Sequence, residues 1–442
     1  MRPCALFVLL SSCAFAGTRD HPLAKGFNAV TPDLLKSYLG TLASDEFEGR
    51  CAGYPGNDKA ANYIAARMKE AGLKPMGDVE VGGQRTYFQP FLFDDGRHLT
   101  RNCVGLLEGS DAKLKDEVVV IGAHFDHVGV KGQHKAGQLG KAKKDDVIWN
   151  GADDNGSGTT TVLGVLKIFA EAKVRPRRSI LFVWFSAEEW GLYGSQWYVS
   201  HPVVPLEKTV AMLNLDMTGR TDDENIANCY GVGTAAGAVF TPIVERAMKT
   251  TEGFKLNIDV NYGDGSDHVP FASKKIPICG FGEKGPCPDY HQVTDHVEKI
   301  AFPYMVKIAR AAAVTLYDIA DLEARPQWEA TYVRPVPKDD GKARVGAYLA
   351  ALEDDELAAF GLKSRGALKV NEVVSGGAGQ KAGLQKGDIM IALGGTPFDA
   401  EDPRGTFTGV LDKVVRGKEY VLEVLREGKS VELRIVWPNP KE

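Results

Sequence analysis

The sequence predicts an α/β protein with a mixed, mostly parallel central sheet packed between helices, followed by a smaller β-rich domain. Continuous apolar runs alternate with segments whose apolar residues recur at helical spacing, as expected for strands buried on both faces of a sheet. A segment rich in proline and charge, 325–342, shows no periodicity and divides the chain. A length of 442 residues also favours two folded units.

The first predicted domain spans residues 28–324 and contains the alternating elements. Its opening helix has a Thr-Pro start signal at Thr31. The predicted helices cover 31–39, 56–73, 159–172 and 302–322. The predicted strands cover 118–121, 180–185, 210–215 and 276–281.

The second predicted domain spans residues 343–438. Its clearest segment is 370–395, which predicts a strand, a short helix ending at Gly383, a turn at 386–388 and another strand. The intervening segment 325–342 is predicted to be a linker.

Composition limits the class of partner. The net charge is −5, and no basic cluster is interleaved with aromatic residues, so nucleic acid is not an expected partner. Residues 1–16 resemble a signal peptide, with Arg2 before an apolar run and an Ala-Phe-Ala cleavage site at 14–16. We therefore expect export, with lipid anchoring through Cys13 as the alternative. No other stretch is long and apolar enough to span a membrane.

The cysteines outside this leader leave two explanations open. Five remain, and an odd count leaves at least one unpaired. Cys279 and Cys287 flank a loop rich in glycine and proline, which makes them the disulfide candidates. Free buried thiols are the alternative.

Imidazole and carboxylate side chains follow each predicted strand of the first domain. Sheets of this kind place their sites beyond the carboxyl ends of strands, so these residues are expected to meet on one rim. The residues that fall there are His124, Asp126, Asp153, Asp154, Glu188, Glu189, Asp216 and His291.

Two histidines among several carboxylates suit Zn²⁺, which binds imidazole nitrogen and carboxylate oxygen. Clustered carboxylates raise each other's pKa unless cations balance them, and two Zn²⁺ ions would do so. Two-metal sites need a bridging ligand, and Asp154 in a glycine-rich loop is suited to that role. Of the adjacent Glu188 and Glu189, one can bind metal while the other acts as general base. Asp126 can accept the other N–H of His124 if the chain turns there.

Each motif taken alone has a structural explanation. The run at 153–158 could cap a helix, and the paired glutamates could begin one. Only their joint occurrence at strand ends favours a metal site. Other polar groups are expected to be structural. The exposed histidines would be His21, His98, His134 and His201, whereas His127 and His296 would lie in outer or surface positions. Residues 266–268 would form a pocket wall, and 131–144 would be a solvated loop.

The first domain resembles the di-zinc aminopeptidase family that includes bacterial leucyl aminopeptidase, aminopeptidase Y and glutamate carboxypeptidase II. The resemblance extends over about 31–322. It is carried by LASDEFEGR (42–50), AHFDHVG (123–129), NGADDNGSG (150–158), SAEEWG (186–191), NLDM (214–217), SDHVPF (266–271) and YH (290–291) followed by Asp295.

The resemblance implies an enzyme that hydrolyses N-terminal residues from peptides with water activated by two Zn²⁺ ions, and the leader implies that this enzyme is secreted. One ion would be held by His124 and Asp216 and the other by Glu189 and His291, with Asp154 between them. Glu188 would be the general base, Asp126 would orient His124, and Tyr290 would line the pocket. The chain departs from the family at Gln292, where threonine is common, and 79–116 is too short for the domain that many relatives insert there.

The second domain resembles the PDZ domains attached to bacterial proteases. Such domains add a peptide strand to a sheet edge and hold its carboxylate on backbone N–H groups, so a peptide or protein C-terminus is an expected ligand. The carboxylate loop would fall near 345–349, where the sequence departs from the usual pattern. A packing module is the alternative.

Three functions remain open at this stage. The first is the aminopeptidase. The second is a carboxypeptidase or amidase on the same scaffold. The third is a non-catalytic peptide-binding protein, against which the complete set of candidate ligands argues.

Overall fold

The structure is a computed structural model that describes residues 21–221, 226–235, 239–259, 265–283, 287–328, 343–352, 354–362, 365–373, 377–400 and 402–438. The predicted signal peptide with Cys13, and most of the predicted linker, lie outside the described residues. No helix within the described ranges is long and apolar enough to cross a bilayer.

The first domain alternates strands and helices as predicted. Its helices are α1 (Pro32–Leu42), α2 (Pro55–Glu70), α3 (Gly158–Ala172), α4 (Tyr193–Ser200), α5 (Phe240–Thr250), α6 (His268–Ser273) and α7 (Phe302–Asp321). Its strands are β1 (Lys74–Pro75), β2 (Glu80–Val81), β3 (Gln84–Arg85), β4 (Phe88–Phe93), β5 (His98–Leu107), β6 (Val118–His124), β7 (Gly129–Val130), β8 (Ile148–Trp149), β9 (Ser179–Phe185), β10 (Thr209–Leu215), β11 (Ile226–Tyr230), β12 (Lys255–Ile258) and β13 (Ile278–Glu283).

Nine of these strands form one twisted sheet in the order β1-β5-β9-β6-β10-β13-β11-β12, with β4 beside β5. The neighbours β9, β6, β10 and β13 run parallel, whereas β5 on one side and β11 on the other are antiparallel to this group. The four parallel strands correspond to the four predicted strands. The prediction of a mixed α/β sheet with a parallel centre is therefore confirmed.

The boundaries of the helices follow from local chemistry. The Thr31 hydroxyl accepts the N–H of Leu34 at 3.2 Å and Pro32 occupies the first turn, which together begin α1 at the expected place. Helices α3 and α7 pack against the same face of the sheet as α1. Strands β6, β9 and β10 are buried along their whole length, which explains why they appear as unbroken apolar runs.

The second domain has a hydrophobic core of its own. It contains β14 (Ala347–Ala351), α8 (Asp354–Ala359), β15 (Leu368–Val373), α9 (Ala378–Lys381), β16 (Ile389–Leu393), β17 (Thr396–Pro397), α10 (Pro403–Leu411), β18 (Glu419–Arg426) and β19 (Lys429–Val436). Its sheet is antiparallel throughout, in the order β14-β15-β16-β18-β19 with β17 beside β16. The predicted strand, short helix and strand of 370–395 correspond to β15, α9 and β16. Its assignment as a PDZ domain stays a prediction.

The proposed disulfide between Cys279 and Cys287 is wrong. All five cysteines among the described residues are free. Cys279 lies inside β13 with its side chain in the core, where its Sγ is 3.7 Å from Sγ of Cys229. Cys287 follows the end of that strand and is half-buried. The two thiols therefore lie in different surroundings and are not bonded to each other.

Candidate metal centre

The predicted site residues meet at the carboxyl edge of the parallel strands. His124 is the last residue of β6, Asp216 directly follows β10, and Glu188 and Glu189 lie in the turn after β9. His291 lies in the loop after β13. Because these four strands are neighbours in the sheet, their ends converge, as the sequence predicted.

Asp154 lies between the two histidines. Its Oδ1 is 3.5 Å from Nε2 of His124, and its Oδ2 is 2.9 Å from Nε2 of His291. The turn that carries it begins at Gly151, whose φ is 56° and where a Cβ would lie 2.3 Å from the main-chain oxygen of Asp154. Glycine therefore permits the close backbone approach that brings Asp154 to this position.

Two groups of candidate ligands share Asp154. In the first, Nε2 of His124 is 3.5 Å from Oδ1 of Asp216. In the second, Nε2 of His291 is 2.9 Å from Oε2 of Glu189. Each group brings an imidazole nitrogen and carboxylate oxygens towards a common point.

The donor atoms fit zinc. Oδ1 of Asp216 and Nε2 of His291 are buried and make no well-aligned hydrogen bond. The atoms nearest to them are other candidate metal ligands, at 2.9–3.5 Å. Leaving buried polar atoms unpaired is costly, and a shared cation removes that cost. Imidazole and carboxylate without sulfur are ligands of catalytic zinc.

Burial and charge set the protonation of the acidic groups. Burial raises the pKa of Glu188 well above its usual value, and the adjacent Glu189 and Asp267 raise it further. Burial also opposes the charge on Glu189, but His291 and His127 outweigh it and lower the pKa of this carboxyl well below its usual value. The two neighbouring glutamates are therefore driven in opposite directions, which is typical of groups with different roles.

Asp126 contacts both halves of the site. Nδ1 of His124 is 3.2 Å from the main-chain oxygen of Asp126 and 3.7 Å from its Oδ1. The expected orienting contact is thus made mainly by the carbonyl rather than by the carboxylate. The carboxylate instead accepts the backbone N–H groups of Glu188 at 3.1 Å and Glu189 at 3.3 Å. It fixes the turn that carries both glutamates.

The loop 131–144 was expected to be solvated, and this is wrong for part of it. The main-chain oxygen of Gly137 is 2.8 Å from Nδ1 of His291, so the loop orients a candidate ligand. Gln138 and His134 are buried, and the ring of His134 lies 4.2 Å from that of Trp190. The lysine-rich composition of the loop concealed these inward-facing positions.

His127 takes the outer of the two positions expected for it, directly behind a candidate ligand. The side chain is completely buried, and its Nδ1 donates to Oε1 of Glu189 at 2.8 Å. It therefore holds the oxygen of Glu189 that does not face His291. The signal was present in the His-Phe-Asp-His spacing, but only the first histidine of that motif was assigned to the site.

A buried charge network supports the same region and was not predicted. Oδ2 of Asp295 accepts the backbone N–H groups of Asp153 at 2.9 Å and Asp154 at 3.1 Å. The guanidinium of Arg220 donates to Oδ1 of Asp295 and to Oδ2 of Asp289, both at 3.0 Å. Arg220 thereby ties the turn of Asp154 to the loop of His291.

A second arginine, Arg50, lies beneath the turn at 150–154. It is completely buried and donates to the main-chain oxygens of Phe125, Asn150 and Gly151 at 2.6–2.8 Å. Burial lowers its pKa to about 10, and the carboxylates of the site oppose that shift. Arg50 closes the motif at 42–50, whose residues were noted for resemblance without a role.

The segment 266–268 lies where a pocket wall was expected. Oγ of Ser266 donates to Oδ2 of Asp216 at 2.5 Å. Ser266 and His268 border a cavity of about 620 Å³ that opens beside Asp216 and is also lined by Tyr290. Tyr290 is 45% exposed and stacks on His291. A substrate bound at the candidate metal ligands has this cavity beside it.

Histidines and carboxylates at the carboxyl edge of the sheet, with one central aspartate beside a cavity, form an arrangement that can hold metal ions next to a bound molecule. Residues 102–316 match the family model described as Peptidase family M28. Over these residues the chain is similar to that family, in agreement with the resemblance carried by its motifs.

Individual relatives agree with the family. The chain is 28% identical over 235 residues to Aminopeptidase YwaD of Bacillus subtilis, covering 52% of this chain and 46% of that protein. It is 31% identical over 207 residues to Leucine aminopeptidase 1 of Arthroderma otae, covering 44% of this chain and 52% of that protein. The chain thus spans about half the length of the curated relatives it matches.

A solved structure shares the fold. The LapA aminopeptidase of Legionella pneumophila superposes with a TM-score of 0.53 over 73% of this chain and 78% of that chain, at 20% identity.

Proposed function

We propose that this protein is a zinc-dependent aminopeptidase that holds two Zn²⁺ ions and removes N-terminal residues from peptides. The observation that carries the proposal is the position of Asp154, whose two oxygens face two different histidines at 3.5 and 2.9 Å. A carboxylate with this geometry can bridge two cations. The names of the matched relatives support the same activity.

The ligands divide between two positions. His124 and Asp216 would hold the first ion, Glu189 and His291 the second, and Asp154 both. When bound, two Zn²⁺ ions polarise the scissile carbonyl and lower the pKa of the attacking water. Both halves contain only nitrogen and oxygen donors, as the catalytic zinc sites of known metallopeptidases do.

Glu188 is the proposed general base. Its Oε2 is 3.8 Å from Nε2 of His124, so it borders the first metal position, while Asp126 fixes its backbone. Burial raises the pKa of its carboxyl, which favours accepting a proton from water. The same carboxyl then returns that proton to the departing amine.

The cavity beside Asp216 is proposed to receive the side chain next to the scissile bond. Met217, Tyr230 and Tyr290 contribute to its wall, and Ser266 connects it to Asp216. With the first side chain of a peptide in the cavity, the scissile carbonyl would lie beside the candidate ligands, which would place the bond next to Glu188.

A substrate panel on purified, zinc-loaded protein tests the activity. We expect hydrolysis of aminoacyl anilides with a free amine and loss of hydrolysis when that amine is acetylated. Preference for acetylated substrates or for free carboxyl termini would instead establish the carboxypeptidase or amidase alternative. Absence of bound zinc by elemental analysis, together with peptide binding, would establish the non-catalytic alternative.

We propose further that the second domain binds peptide C-termini. Strand β14 pairs only with β15 among the described strands, so its outer edge can accept an added strand. Calorimetry with the whole chain distinguishes a peptide with a free carboxyl terminus from its amidated form. Equal affinity for both, or no heat with either, would reject this mode.

Export through the segment 1–16 completes the proposal. Mass spectrometry of the mature protein should find an N-terminus near Gly17. A lipid-modified N-terminus at Cys13 would show anchoring instead.

A further inference from the structure

A second group of potential metal ligands lies beside the candidate centre. One ligand atom each from Asp153, Glu283 and Cys287 lies within 4.8 Å of the others. Asp153 belongs to the turn before α3, Glu283 ends β13, and Cys287 lies four positions further on. We propose that these three side chains form a further cation site, for zinc or a similar divalent metal, which uses none of the five ligands assigned above.

Two unpaired oxygens point to a ligand here. Asp153 is completely buried; its Oδ1 accepts the N–H of Gly219 at 2.9 Å, whereas its Oδ2 has no hydrogen-bond partner. Oε2 of Glu283 is also buried without a donor from another residue, and the two carboxyls face each other closely enough to share a proton. A cation between them would replace that proton and pair with both carboxylates.

The nearby cations do not satisfy these oxygens. Arg220 uses its two terminal nitrogens on Asp289 and Asp295, and its Nε is 3.7 Å from Oδ2 of Asp153, beyond hydrogen-bond distance. Nζ of Lys299 donates to Oδ1 of Asp289 at 2.6 Å.

The charges of this region leave room for a divalent ion. The acidic side chains are Asp153, Glu283, Asp289 and Asp295, and the basic side chains are Arg220 and Lys299. Burial and the neighbouring Asp153 raise the pKa of Glu283 to about 10, so this carboxyl is protonated at neutral pH, and a divalent cation would take the place of that proton.

The ligand types restrict the identity of the ion. A thiolate selects zinc-like metals over magnesium or calcium, and carboxylates are accepted by the same metals. On binding, the Sγ–H bond of Cys287 breaks, the proton passes to solvent and the sulfur pair forms the bond to the metal. Glu283 and Cys287 also line the 620 Å³ cavity, so water can complete the coordination from that side.

The site has a structural consequence for the catalytic centre. Asp153 precedes Asp154, and Cys287 lies in the loop that continues to His291. A metal held by Asp153 and Cys287 therefore ties together the two segments that form one half of that centre. It adds to the link made by Arg220 and Asp295.

Cobalt distinguishes this site from the proposed catalytic centre, because only a thiolate ligand gives an intense near-ultraviolet sulfur-to-cobalt charge-transfer band. Metal-free full-length protein is titrated with Co²⁺ and followed by absorption. We expect a sulfur band and three bound equivalents in the unmodified protein. Cys287→Ser should lose the band and bind two. Cys51→Ser is the matched control, since Cys51 is buried near Asp126 and Glu189 and should leave the band intact.

Glu283→Gln provides a second variant if Cys287→Ser does not fold. This variant should keep the sulfur band but bind the third Co²⁺ ion at least about tenfold more weakly, since changing one contact of a metal site usually costs that much affinity. Two equivalents without a sulfur band in the unmodified protein would overturn the proposal. A band that survives Cys287→Ser and disappears in Cys51→Ser would also overturn it.

The same titration keeps the two proposals separate. If the protein binds two Co²⁺ ions without a sulfur band and no third ion, the cation site is rejected and the proposed aminopeptidase centre is retained. If a sulfur band appears but the two other Co²⁺ ions do not bind, the two-metal centre is rejected and the cation site is supported.

Discussion

The two halves of the metal centre are built in different ways. His124 and Asp216 lie at the ends of β6 and β10, which are parallel neighbours paired through Asn214 and Gly122. The sheet itself brings these two side chains together. Glu189 and His291 come from a turn and a loop, and His291 has a left-handed backbone with φ of 55°. Contacts from other segments hold them in place.

The contacts that support the second half come from several separate segments. His127 holds Glu189, the carbonyl of Gly137 holds His291, and Arg220 connects the loop of His291 to the turn of Asp154. A strained backbone conformation persists only where its surroundings enforce it. The sheet therefore preorganises the first half, whereas the second half depends largely on side-chain contacts that single substitutions can remove.

Loss of the shared ligand should have the largest effect, because it affects both halves. Asp154→Ala is expected to reduce binding of both ions and to lower kcat/KM by at least about 10³-fold, since two-metal chemistry needs both positions. Elemental analysis and kinetics measure the outcome. Asp58→Asn, on the surface of α2, is the control. Retention of two ions by Asp154→Ala would show that the halves do not share this residue.

Glu188→Gln should separate chemistry from metal binding. We expect kcat to fall by about 10²–10⁴-fold, the contribution typical of a general base, with both ions retained. Metal content measured on the same samples as kcat makes the distinction. Activity close to that of the unmodified protein would remove Glu188 from the mechanism.

Arg220→Gln should affect only the second half. Its loss releases Asp289 and Asp295, so the ion held by His291 and Glu189 should bind about 10–100-fold more weakly, whereas the ion at His124 should be unchanged. Calorimetric zinc titration of the metal-free protein resolves the two affinities.

Arg220→Lys and Arg178→Gln are the control variants for Arg220→Gln. The lysine keeps the charge and should restore part of the affinity. Arg178 is more deeply buried than Arg220 and bonds Glu117, far from the centre, so its loss should lower stability alone. Equal weakening of both ions by Arg220→Gln would contradict the proposed asymmetry.

The smallest expected effect is a loss of folding stability at acidic pH, caused by His134 in the loop that supports the second half. Burial lowers the pKa of His134 to about 4. Between that value and its ordinary pKa of about 6.5, the unfolded chain binds a proton that the folded protein does not. The free energy of unfolding therefore falls as the pH decreases, by up to about 1.4 kcal/mol per pH unit.

Urea unfolding at pH 7 and pH 5 measures this dependence. His134→Gln should reduce the difference by about 2 kcal/mol, whereas His201→Gln, on an exposed position, should not. An identical pH dependence for both variants would show that His134 does not contribute.

The same asymmetry explains what the sequence predicted. Residues at strand ends, such as His124 and Asp216, could be located because uninterrupted apolar runs identify buried strands and topology places their ends together. Asp154 was separated from Asp153 through its family resemblance, and the structure positions it between the two histidines. These inferences needed only local pattern and the geometry of parallel sheets.

Contacts made across long sequence distances could not be predicted in this way. The carbonyl of Gly137 faces His291 from 154 residues away, and a main-chain oxygen has no sequence signature. Cys279 and Cys287 are close in sequence, yet the first lies in the core beside Cys229, whose proximity depends on sheet pairing. The ion pair between Arg220 and Asp295 could not be predicted either, because it depends on two loops that are distant in sequence and meet only in the fold.

Anomalous diffraction from crystals of the zinc-loaded protein tests the central claim most directly. The account predicts two zinc peaks about 3.5–4 Å apart, one on each side of the Asp154 carboxylate, with His124 at one and His291 at the other. A single peak at this position, or two peaks that do not both contact Asp154, would contradict it.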